Sequence, residues 1–139
     1  MPANTSPIFI RQGNFTPARL VAANTASDGS GTIYTIVTAQ TDGTRVDGVR
    51  FRNSQATAAA SSAMVHRIYL SNTSGTNYRL IGEVATATAT RSTTAVGATS
   101  VFTFDQPIIM QSGQIMAVSQ SVYVGVADQF DAVAFAGDY

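Results

Sequence analysis

The chain has 139 residues, enough for one domain whose core needs no covalent staple. It contains no cysteine, which excludes disulfides and zinc–thiolate sites, and eight basic residues balance eight acidic ones to a net charge of zero. All the basic residues are arginine, and charged residues are 12% of the chain against about 25% in ordinary soluble domains, so a broad cationic field for nucleic acid is excluded. A neutral chain rich in Ala and Thr suits a protein packed against copies of itself or a partner. Arginine without lysine points the same way, because interfaces enrich the first and deplete the second.

Residues 1–12, "MPANTSPIFIRQ", read as an N-terminal arm or a first strand, with Pro2 and Pro7 favouring extended backbone. This stretch has neither the basic nor the apolar region of a secretory leader. No apolar run approaches the roughly 18 residues of a membrane span, so no membrane partner is expected. Residues 13–139 are expected to form one β-sandwich domain. "DGSGT" (28–32) is glycine-rich but precedes a strand, so it offers no helix N-terminus to a phosphate.

"GTIYTIVTA" (31–39) is β-branched and aromatic and predicts a strand, and "TDGTR" (41–45) carries an Asp-Gly turn signal. "VRFRN" (49–53) alternates, with Val49 and Phe51 on one face and Arg50 and Arg52 on the other. Val46 falls out of that phase, so Asp47-Gly48 predicts a bulge or a bend. "SQATAAASSAM" (54–64) has no apolar stripe at helical spacing and reads as a loop or short turn, with a single-turn helix as the alternative.

"MVHRIYLS" and "YRLIGEV", joined by the Gly-bearing "SNTSGTN", predict an antiparallel hairpin. The first leg sets Met64, His66, Ile68 and Leu70 against Val65, Arg67 and Tyr69. "ATATATRSTTAVGATS" (85–100) reads as an exposed, extended connection. "SVFTFD" predicts a strand, Pro107 a new strand or a sheet edge, and "IMAVSQSVYVGV" (115–126) one long strand. The final "FDAVAFAGDY" turns Val133 and Phe135 one way and Ala132, Ala134 and Ala136 the other. About eight to ten strands without a helix predict an all-β fold, a single-domain antiparallel β-sandwich of jelly-roll type, with an up-and-down barrel as the second reading.

Little in the chain carries chemistry. His66 is the lone histidine and shares its strand face with apolar neighbours, the pattern of a structural residue. No G-x-S-x-G elbow accompanies it. Asp42 and Asp47, and Asp128 and Asp131, lack the spacing of a calcium loop. No catalytic residue, metal ligand or cofactor is expected. Arg50 and Arg52, with Arg45 close by, form a short strip that reads as a subunit-facing or solvated strand rather than a nucleic-acid site.

Four segments, "ANTSPIF", "NTASDGSGTIYTIVTAQTDGTRVDGVRF", "HRIYLSNTSGTNYRLIGEV" and "AFAGDY", together resemble small virion structural proteins of tailed bacteriophages. The resemblance touches Ala3 to Val84 and Phe135 to Tyr139. It implies a jelly-roll sandwich and a non-enzymatic head decoration or cement protein. Such a protein would seat on the capsid exterior against the major capsid protein, as a homo-oligomer with a trimer favoured. No catalytic position carries over. The expected subunit or capsid contacts are Pro7, Ile8, Phe9 and Ile10 of the arm, Arg45, Arg50 and Arg52 of the strip, and Phe135 and Tyr139 of the terminal strand. The second reading is a tail- or fibre-associated module that stacks host carbohydrate on Tyr69, Tyr78 and Tyr123 between Arg67 and Arg79. A sandwich-fold hydrolase built on His66 comes last.

Overall fold

The computed structural model describes residues 9–56 and 58–139, so Pro7 and Ile8 lie outside the described residues. The described residues form nine strands: β1 (Gln12–Gly13), β2 (Ala18–Leu20), β3 (Tyr34–Thr38), β4 (Thr44–Asn53), β5 (Met64–Leu70), β6 (Arg79–Thr86), β7 (Thr99–Met110), β8 (Ile115–Gln120) and β9 (Phe130–Asp138). One short 3-10 turn, Val126–Asp128, precedes β9, and no α-helix occurs among the described residues.

The strands make two antiparallel sheets packed as a β-sandwich. In the first sheet β1 and β2 both pair with β9, which pairs with β4, which pairs with the edge strand β7. The second runs β3-β8-β5-β6. Between them lie Leu20, Ile36, Val49, Phe51, Ile68 and Phe130, all without solvent exposure. Each such side chain contributes about 1.5–3 kcal/mol of burial. On β9 the inward positions beside Phe130 are Ala132 and Ala134, which leave room for the facing sheet.

The Asp47-Gly48 bulge is where the broken phase predicts it. Register slips between Val46 and Gly48 on both flanks of β4, and inward burial resumes at Val49. The β5–β6 hairpin forms as expected, with Arg67 directly opposite Glu83. Its loop closes on Asn72, whose Oδ1 accepts from the backbone N–H of Ser74 and Thr76, an Asx-type turn. Gly75 takes a left-handed φ of 72° in that loop.

Three sequence readings are corrected and one of two alternatives is decided. The strand expected over 31–39 is shorter, Tyr34–Thr38. At Pro107 the edge alternative holds: β7 runs 12 residues through it as the edge strand of its sheet, and Pro107 falls between Thr103 and Ile108, where the register with β4 is broken and no ladder partner is lost. The strand expected over 115–126 stops at Gln120, and the chain then turns through Gly125 into the 3-10 turn. Tyr69 is fully buried although it points away from the core, because residues 23–26 fold over it.

Candidate interaction face

The outer faces of the two sheets differ. The second is capped by the connection between β2 and β3. Asn24 N donates to the Gln120 carbonyl (2.8 Å), and the Asn24 amide donates to the carbonyls of Ser30 (2.8 Å) and Thr32 (2.9 Å), closing the loop on itself. Arg67 Nη1 then donates to the Asn24 carbonyl (3.1 Å), and the Tyr69 hydroxyl donates to that of Ala26 (2.9 Å). Tyr69 therefore presents no ring to a sugar, and the three-tyrosine platform does not assemble.

The outer face of the first sheet carries no such cap among the described residues. The alternation that buries Val49 and Phe51 turns Arg50 and Arg52 outward, and Arg45 points the same way beyond the bulge. Register sets Arg50 between Val133 of β9 and Val101 of β7, Arg52 between Asp131 and Thr99, and Arg45 between Gly137 and Ile109. Phe135 lies on this face at 42% exposure, with Val101 at 48% and Ile109 at 55%. Ile10 sits directly over Gly137, where a side chain would displace it, and Phe9 beside it is 73% exposed. Tyr139 follows β9 and its N–H donates to the Gly43 carbonyl (3.3 Å). The described contact residues expected from the sequence (Phe9, Ile10, Arg45, Arg50, Arg52, Phe135 and Tyr139) thus come from the arm, β4 and β9 onto one side of the molecule.

Arg45 is tied to Asp47 by hydrogen bonds of 3.0 and 2.8 Å, and that carboxylate raises its pKa further. Arg50 and Arg52 make no side-chain hydrogen bond or ion pair among the described residues. Sequence reasoning missed a third guanidinium beside them. Arg91, in the loop after β6, donates to the carbonyls of Asn53 (3.4 Å) and Gln55 (3.2 Å). The available signal was a single arginine inside an Ala-Thr run.

Comparison with family models, with curated proteins and with solved structures finds no match to this chain.

His66 and Glu83 do not form a site. His66 points into the core, stacked on Phe51 at 4.3 Å between ring centroids and tilted against Phe130 at 4.7 Å. Its Nδ1 bonds to Thr86 Oγ1 at 2.9 Å, and burial pushes its pKa down to about 3. A neutral, fully enclosed imidazole cannot exchange protons with an external substrate. Glu83 faces the other way and accepts from Arg67 Nε at 2.8 Å. No group of three or more metal-binding side chains occurs among the described residues.

Proposed function

We propose that this protein is a non-enzymatic virion structural protein, a head decoration protein that docks on the capsid exterior through the outer face of the β1-β9-β4-β7 sheet. The observation that carries this reading is the asymmetry of the two faces. One is covered over β5 and β8 by the chain's own loop. The other leaves Phe9, Ile10, Val101, Ile109 and Phe135 exposed among arginines. A mixed aromatic, aliphatic and arginine surface with no lysine is the composition of an interface. The resemblance supplies the partner, a major capsid protein, and a homotrimer as the oligomeric form.

The strand order also supports jelly-roll connectivity. With β1 and β2 counted as one interrupted edge strand, the sheets run first-eighth-third-sixth and second-seventh-fourth-fifth. That is the order produced by rolling up one long antiparallel hairpin.

The test is sedimentation of purified protein with decoration-free capsids, followed by reconstruction of the particle. Wild type should saturate the lattice, and the double variant Arg50→Glu/Phe135→Asp should not bind while keeping its fold. Capsid occupancy unchanged in that variant would rule this face out.

A further inference from the structure

The geometry points to an oxyanion-binding site at one end of this face, where Arg50, Arg52 and Arg91 surround a recess of about 310 Å³. Its wall includes Val133 and Ser54, and its only carboxylate among the described residues is Asp131. That carboxylate is already engaged by Arg19, whose Nε donates to it at 3.0 Å. Four guanidiniums therefore meet one carboxylate, in a protein whose overall charge is zero.

Three like charges around one depression repel each other, and a concave site concentrates their field. The arrangement is built rather than incidental. Arg50 and Arg52 are two positions apart on β4 and fixed in register by strands on both sides. Arg91 is drawn in from a separate loop by two backbone carbonyls, which hold it through Nη1 and leave the rest of its fork available. Planar guanidiniums are suited to two-pronged hydrogen bonding with carboxylate, phosphate or sulfate. The shared chemistry of the ligand is a single oxyanionic group, planar or tetrahedral. This inference does not depend on where the protein resides.

The experiment is an NMR titration of the arginine Nε–Hε resonances of the full chain, at constant ionic strength, with inorganic phosphate in one arm and acetate in the other. Saturable shifts confined to Arg50, Arg52 and Arg91, with a Kd of about 1 mM or tighter, are expected. Arg11 and Arg79, exposed elsewhere, serve as internal references. Saturation with phosphate alone assigns a tetrahedral group, saturation with acetate alone assigns a carboxylate, and saturation with both assigns an oxyanion site that accepts either geometry. Arg52→Gln should weaken binding about tenfold or more, with Arg52→Lys intermediate because it keeps the charge and loses the fork. Its side chain makes no internal bond among the described residues, so the amide spectrum should report an intact fold. Shifts that grow linearly, or that appear equally at all arginines, would overturn the site.

Discussion

His66 has exchanged its chemistry for packing. An imidazole stacked on Phe51 and bonded to Thr86 is held neutral, with its pKa near 3 against 6.5 when free. As pH falls through 6.5 the unfolded chain takes up a proton that the folded one refuses until about 3. Stability is therefore complete above pH 6.5 and drains away toward pH 3 at up to about 1.4 kcal/mol per unit. Urea unfolding at a series of pH values should show this slope, and His66→Gln should flatten it whatever its own stability. Gly113 is a second position with a sharp expectation. Its φ is +84°, and a Cβ there would strike the Thr73 carbonyl oxygen. Gly113→Ala should cost at least about 1–3 kcal/mol in denaturant melts, through left-handed strain and the displaced 71–77 loop. The facings of Arg50, Arg52 and His66 were legible in the sequence, because two-residue alternation is a local signal. The burial of Tyr69 was not, because what covers it comes from more than forty residues away.

Among the elements, the bulge at Asp47 was legible because it breaks phase within a single strand. The end of β8 was not. "SQSVYVGV" has strand composition, but Ser121 N donates to the Val65 carbonyl and Asp128 turns the chain back. Asp128 does so by accepting from the backbone N–H of Ser62 (2.6 Å) and Val124 (2.9 Å). Such a clasp depends on residues far apart in sequence. β1 is the most exposed element, held by Arg11 N to the Asp138 carbonyl (2.8 Å) and Asn14 N to that of Ala136 (3.1 Å). Ile10 packs over the bare Gly137 beside it. Gly137→Val should lift this segment without unfolding the sandwich. Hydrogen exchange should then show lost protection at Arg11 and Asn14 while β4 and β5 stay protected. The Arg67–Glu83 pair joins two strands at a partly exposed site, so Glu83→Gln should change stability by no more than about 1 kcal/mol in thermal melts.

At the scale of the molecule, strand count, absence of helix and turn spacing together were enough to anticipate two packed sheets. They could not show which outer face the chain would seal for itself, since that depends on where the β2–β3 connection lands. Nor could they show that Arg91 would join the β4 arginines, because the Ala-Thr run around it has no periodicity to orient it. The strand order has a further consequence for how the chain is made. β9, the last of these nine strands in chain order, lies in the interior of its sheet, with β1 and β2 on one side and β4 on the other. β8 likewise separates β3 from β5 in the other sheet. A chain still emerging from the ribosome therefore holds β2, β3 and β4 with their central partners missing, and only the β5–β6 hairpin can close in sequence. Both sheets are completed by β8 and β9, so a nascent chain stopped before Phe130 would leave the Leu20, Val49 and Phe51 surfaces without their β9 partners and open to neighbouring chains.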